Sequence, residues 1–329
     1  MLNRIYIIVG VLAIMVLAGA FIAPRFIQWS DYRDRMEELA TGVLGADVSI
    51  RGNISFSLLP TPRLEFSDVV VGDIESPAAT VQAVEAEFAL VDFLRDNYTV
   101  TALTLNQPQV ELVLDESGFF SSGIDIAGGG AGVVLSQARI TNGRVRLTDL
   151  RSEEVYAAER VDGDFRLASF TGPFQFQGFA DYGERRYDVR FSTGPGDAEG
   201  ISRLSASLRE VANAYSVSAE GLLTAGMAPK FDGTLTYRQA PPGVEAADDI
   251  RGDLVLESKV TASTDRAVLS GFTLMPDENR AATRLTGAAS VQFGTRNSFD
   301  AVVSGGVLHC RPAMPLKSPA SCLMNSCAC

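Results

Sequence analysis

The sequence predicts a mainly β protein: an N-terminal transmembrane helix, a short amphipathic helix, then a long antiparallel β-meander shaped as an open β-groove or an elongated curved sheet. Three observations carry that expectation. Residues 5–22, IYIIVGVLAIMVLAGAFI, hold no charge. From Val48 onward apolar residues recur with a period of two, the spacing of a strand with one apolar face. After Arg95 no apolar pattern of helical period extends far enough to make a helix.

The uncharged run is bounded by Ile5 and Ile22, and as a helix it would measure about 27 Å, enough for a bilayer core. Tyr6 and Trp29 stand where interfacial aromatic residues anchor such a span. A cleaved signal peptide is the rival reading, because Ala18-Gly19-Ala20 resembles a cleavage site. The run is longer than a signal-peptide core and Pro24 disfavours cleavage after Ala23, so a retained anchor is preferred. Flanking charges do not settle orientation: Arg4 lies on one side, and Arg25, Arg33 and Arg35 lie on the other, diluted by Asp31 and Asp34. The acidic, strand-rich remainder reads as the exported part.

One helix follows the span. Ser30 is the expected N-cap, Asp31 sits in the first turn, and Tyr32, Met36, Leu39 and Val43 form a single apolar stripe. Gly45 supplies the expected stop. Strands then succeed one another. Ile54, Phe56 and Leu58 face Leu64 and Phe66 across a Pro60-Thr61-Pro62 corner, with Val69 and Val71 beyond. Further apolar sets are Val110/Leu112/Leu114, Val145/Leu147, Phe174/Phe176, Tyr187/Val189/Phe191, Tyr215/Val217/Ala219, Leu254/Leu256 and Phe272/Leu274. Asn142-Gly143, Asp162-Gly163, Tyr182-Gly183 and Asp232-Gly233 read as turns between them. A short helical turn is expected near residues 91–94, a loop at the glycine run 128–132, and another at the proline- and acid-rich residues 240–249. About eighteen strands at ~4.8 Å spacing would make a sheet on the order of 80 Å across. The expected organisation is a stub and anchor (1–25), a helix and first β region (26–127), a glycine-rich linker (128–134), a continued β-groove (135–305), and an aberrant, disordered tail (306–329).

Composition excludes several functions. A net charge of −12 and a pI of about 4.7 over 329 residues argue against a nucleic-acid partner, which would need a basic surface. Every cysteine (Cys310, Cys322, Cys327, Cys329) and the single histidine, His309, lies in the tail. Their spacing fits no structural zinc pattern, and composition breaks abruptly near Val307, as a change of reading frame would produce. The body therefore has no Ser-His-Asp or Cys-His arrangement. The carboxylate pairs Asp162/Asp164 and Glu153/Glu154 read as turn residues, and the glycine run has no P-loop lysine. No enzyme activity, metal or cofactor is expected. What remains is the one-sided alternation itself. It serves either a dry sandwich core or an open groove that shelters acyl chains. Candidate groove residues are Val110, Leu112, Leu114, Val145, Leu147, Phe174, Phe176, Val189 and Phe191.

The order of the motifs adds a resemblance. An anchor and a helix ending in Gly45 are followed by Asp47-Val48-Ser49-Ile50-Arg51-Gly52-Asn53-Ile54, by Leu59-Pro60-Thr61-Pro62-Arg63-Leu64, and by Ser67-Asp68-Val69. This resembles the start of the AsmA family. Residues 100–105 with Gln107-Pro108-Gln109-Val110-Glu111-Leu112 resemble the family's strand, proline, strand element. Ile140-Thr141-Asn142-Gly143-Arg144-Val145-Arg146-Leu147-Thr148-Asp149 resembles its Asn-Gly hairpin ending in Asp. Gly52, Pro60, Pro62, Asp68, Pro108, Asn142, Gly143 and Asp149 are thus expected to be structural. The likeness covers roughly residues 1–170, and 170–305 only as generic β-rich continuation. Residues 115–121 lack the Asn-Trp that often follows the glycine in relatives, and the chain stops short of the family's longer β body.

The resemblance implies a single-pass protein of the Gram-negative inner membrane with its C-terminal domain in the periplasm, related to TamB and to chorein-type bridge-like lipid carriers. The implied role is phospholipid transport to, and assembly of, the outer membrane. Its partners would be phospholipid, the inner membrane and outer-membrane assembly proteins. The alternative is a membrane-tethered scaffold or regulator of protein targeting that carries no lipid.

Overall fold

A computed structural model describes residues 32–59, 61–89, 100–121, 135–167, 172–197, 199–212, 215–239, 254–275 and 284–305. The expected span with Ile5, Tyr6, Ile22 and Trp29 lies outside these residues. So do Ser30, Asp31, Pro60, the turn at 91–94, the glycine run and the cysteine tail. No described helix is long and apolar enough to cross a membrane.

Helix α1 spans Arg33–Leu44, with Tyr32 at the N-cap position making no side-chain cap bond. Asp34 in the first turn complements the helix dipole. Gly45 adopts the left-handed conformation (φ 66°), and its N–H donates to Thr41 O at 2.9 Å, closing the helix as expected. The apolar stripe is rotated from the expected one. Met36, Ala40 and Leu44 pack on the core, whereas Tyr32 and Leu39 are exposed, Leu39 by 60 %. The sheet beneath selects the small-residue side of the helix, because Ala40 allows a closer approach than Leu39 would. The helix also shields a sheet edge: Thr41 Oγ1 accepts from Val48 N at 3.0 Å and Glu37 Oε1 from Ile50 N at 2.6 Å.

Among the described residues seventeen strands form one sheet. They are β1 (Val48–Ile50), β2 (Ile54–Ser57), β3 (Arg63–Gly72), β4 (Pro77–Phe88), β5 (Val100–Leu114), β6 (Phe120–Ser121), β7 (Leu135–Asp149), β8 (Glu154–Leu167) and β9 (Phe174–Tyr182). Then come β10 (Arg185–Thr193), β11 (Ile201–Glu210), β12 (Tyr215–Thr224), β13 (Lys230–Gln239), β14 (Leu254–Ser263), β15 (Arg266–Met275), β16 (Leu285–Gln292) and β17 (Ser298–Gly305). β1 and β2 share one edge of β3, and β4 and β5 follow by antiparallel ladders. From β7 to β17 each strand pairs antiparallel with the next. The expected all-antiparallel meander needs one correction: β5 and β7 run parallel over Leu103–Leu114 and Ala138–Asp149. β6 turns back from β5, pairing Leu114 with Phe120, so β7 must return to the starting end before it can pair. This parallel ladder carries the sheet across the expected 128–134 boundary.

Three expected turns are not turns. Tyr182-Gly183 does connect β9 to β10, with Gly183 at φ 61°. Asn142-Gly143, by contrast, lies inside β7 as a bulge with Asn142 at φ 52°, and Asp162-Gly163 lies inside β8 beside the bulge between Glu159 and Asp162. The AsmA-like Asn-Gly element is therefore one bent strand whose hairpin falls later, after Asp149. Asp232-Gly233 lies inside β13, where Gly233 faces Gly221. A Cβ on Gly221 would come within 2.3 Å of Asp232 O. Glycine is thus required for close backbone approach between neighbouring strands rather than for a chain reversal. Pro108 is likewise absorbed into the single strand β5, next to Gln107 in the left-handed conformation (φ 51°).

The dense core is small. Val48, Ile50, Val69, Val71 and Ala79 form a buried cluster beneath α1. Among the described residues no second sheet covers the remaining apolar face, so the sandwich alternative is not what forms.

Candidate functional site

The registers fix which side chains share a face. One row crosses the sheet from β2 to β16: Ile54, Phe66, Val84, Leu105, Ile140, Gly163, Gly178, Val189, Leu208, Val217, Tyr237, Leu256, Leu274 and Leu285. Every member is apolar, aromatic or glycine. One position along each strand, the matching row reads Ser55, Glu65, Glu85, Thr104, Arg139, Asp164, Gln177, Arg190, Ser207, Ser218, Thr236, Glu257, Thr273, Thr286 and Ser304. Every member of that row is polar. Because side chains alternate along a strand, the two rows face opposite sides, and the sheet has one apolar and one polar surface over its whole width. Most of the apolar row is only half-buried, in contrast to the cluster under α1.

The nine candidate groove residues all fall on the apolar surface. Val110 pairs with Val145, Leu112 with Leu147, and Leu114 with Asp149. Phe176 pairs with Phe191, Val189 with Gly178, and Phe174 with Leu167. Two offset aromatic pairs line the centre: Phe165–Phe174, with centroids 6.3 Å apart, and Phe176–Phe191 at 5.8 Å.

The motif residues shape this surface from its margins. Gly52 lies at the break between β1 and β2, where a Cβ would meet Ser67 Oγ at 2.3 Å. Asp68 has φ 53° in β3, and Pro62 is buried, its carbonyl accepting from Phe88 N at 2.9 Å. Pro108 and Gly143 meet across the parallel ladder, since a Cβ on Gly143 would sit 3.3 Å from the Pro108 ring. Asn142 N donates to Asp162 Oδ1 at 2.8 Å, which gives that expected turn carboxylate a bulge-fixing role. Asp164 pairs with Arg139 at 3.2 Å, and Tyr156 donates to the Glu154 carboxylate. That bond, together with desolvation, pushes the Tyr156 phenol up to about 12. No cluster of metal-ligating side chains occurs among the described residues.

Two features escaped sequence reading. On the apolar surface Glu210 is 1 % exposed, with Arg185 Nε 3.5 Å from its carboxylate. Beside it Tyr187, Tyr215 and Tyr237 form a ladder with centroids 6.4 and 6.0 Å apart, and Tyr215 donates to Tyr187 Oη at 3.1 Å. Burial, then that hydrogen bond, holds the Tyr215 phenol well above its ordinary range. The signal was legible: Glu210 continues the parity of Leu204, Ala206 and Leu208, where an acid is out of place. The second feature is a clasp. Arg151, in the β7–β8 turn, donates to Asp149 through Nε (3.0 Å) and Nη2 (2.8 Å), and through Nη1 to Thr264 O (3.1 Å) and Asp265 Oδ1 (3.0 Å). Nearby, Phe120 N donates to Met227 O at 2.7 Å. Strand β6 and the β7–β8 turn thus meet the β12–β13 and β14–β15 turns with no ladder between them, and the sheet curls with its apolar surface inward.

A single open sheet, apolar on the inner side and polar on the outer, with one helix seated at its first strands, defines an open β-groove protein. Residues 1–126, the stretch that includes α1 and β1–β6, match the model of the AsmA family. No curated protein and no solved structure matches the chain.

Proposed function

We propose that this AsmA-family protein is anchored in the inner membrane by residues 5–22 and holds acyl chains of phospholipid against its periplasmic β-groove, in transport to and assembly of the outer membrane. The observation that carries this reading is the unbroken apolar row backed by an unbroken polar row. An acyl chain laid on the inner face gains about 25 cal/mol for each Å² removed from water, with no point contact needed. The head group stays at the open side. Such a surface discriminates little between acyl chains and has no catalytic residue.

Photo-crosslinking of the full chain in the inner membrane of a Gram-negative host tests this. A benzophenone amino acid at Leu208 or Val217 is expected to capture phospholipid, and the same group at Ser207 or Ser218 is not. Equal capture at both pairs, or none at either, refutes it. One observation favours the scaffold reading: β17 is exposed along its whole length, Val302 by 74 %, and its outer edge pairs with no described strand. Protein adducts at Val302, with none of lipid at Leu208, would support that alternative.

A further inference from the structure

At the clasped end the apolar surface turns to face itself. Leu114 and Phe120, from β5 and β6, line the same cavity of about 410 Å³ as Leu223, Phe231 and Ala262, from β12, β13 and β14, and Phe293 is also in its lining. Five strands, β7 to β11, separate β5 from β12 in the sheet. We propose that this cavity, at the clasped end of the groove, is a binding site for a single acyl chain, entered tail first, with an anionic head group held at Lys230 on its lip. The inference rests on the acyl-groove reading and adds a defined terminus to it.

Three observations select an acyl chain over a peptide. At the cavity β5 and β13 are paired on both sides, Leu114 with Phe120 and Asp149 and Phe231 with Leu223 and Ala262, and the free-side Phe120 N–H is taken by Met227 O. A peptide entering there would find no ladder partners for its N–H and C=O groups, whereas an acyl chain requires none. The volume lies within the range of small-ligand sites. The interior cation, Arg151, is already matched by Asp149 and Asp265, leaving no buried charge for a polar ligand to neutralise. Lys230, exposed and in no ion pair among the described residues, lines the same cavity and supplies the complementary charge for an anionic head.

The full chain, in cells fed a photoactivatable, clickable palmitic acid that enters their phospholipids, provides the test. After irradiation the label is mapped by peptide mass spectrometry. The proposal expects label on peptides carrying Leu223, Phe231 or Phe293, besides any at Phe176 and Phe191. Ala262→Phe, which fills the cavity, is expected to lower the end label by about tenfold or more while label at Phe176 and Phe191 persists. Lys230→Gln is expected to lower the anionic share of the captured lipid. Label confined to Phe176 and Phe191 overturns the site at the clasped end and leaves the groove reading standing, whereas no label anywhere overturns both. End label unchanged in folded Ala262→Phe places the lipid outside the cavity and overturns the proposal. If that variant does not fold, the wild-type map decides. An unchanged anionic share in Lys230→Gln overturns the head-group placement.

Discussion

Replacing Arg151 with methionine should open the curled sheet at one end without unfolding the rest. The Arg151 side chain is 8 % exposed, and its guanidinium makes two bonds to Asp149, whose side chain is 11 % exposed, and one each to Thr264 O and Asp265. Methionine keeps most of the packing and strands Asp149 as a buried carboxylate retaining backbone donors only. Breaking a buried pair from one side costs about 3–5 kcal/mol, and loss of the contact to solvent-exposed Asp265 adds less than ~1 kcal/mol. Because strands touch mainly their sequence neighbours, this loss should stay local, as in repeat proteins. Hydrogen exchange should therefore register it at the Phe120 amide, which bonds Met227 O across the clasp. Its protection is expected to fall by roughly a few hundred- to a few thousandfold, with Val70 and its neighbours unchanged.

The pH dependence should reverse as well. In the wild type the Arg151 hydrogen bond outweighs burial and holds the Asp149 carboxyl below its ordinary value. A depressed carboxylate contributes fully above its unfolded pKa, about 3.9, and that contribution is lost as pH falls through the lower folded value. In Arg151→Met the unpaired buried carboxyl titrates upward instead, so mild acidification should restore protection rather than remove it. Protection unchanged at the Phe120 amide, or a fall spread evenly over the sheet, would refute the clasp.

Three further outcomes are expected. Gly221→Val should weaken the β12–β13 ladder by about 1–3 kcal/mol, because its Cβ would lie 2.3 Å from Asp232 O; limited proteolysis near residues 221–233 measures this. Leu208→Asp should abolish lipid capture by the groove, whereas Ser207→Asp, one residue away on the polar surface, should leave it intact; comparable loss in both would place the lipid elsewhere. Glu154→Gln should let Tyr156 ionise closer to pH 10 than its present value of about 12, visible as added tyrosinate absorbance in an alkaline titration, and no change would remove the Glu154 bond as its cause.

The alternation of apolar and polar residues along each strand was set by the sequence, and with it the one-sidedness of every strand. Period two is a local property of extended backbone and needs no neighbour to be read. The helix stop at Gly45 was legible for the same reason, since the left-handed cap is a single-residue preference. What neighbours decide was not legible. Whether Val110, Val145 and Val189 share a face depends on ladder register, and a slip of one residue would have put any of them on the polar side. Asn142-Gly143, Asp162-Gly163 and Asp232-Gly233 satisfy the turn rules, yet they bend or tighten strands, because a residue without a side chain serves chain reversal and close approach equally well. The face that α1 presents followed from the sheet beneath it. The parallel pairing of β5 with β7 required β6 to occupy the other edge of β5. The curl itself rests on Arg151 meeting Asp265, 114 positions later in the chain, a contact that no local pattern encodes.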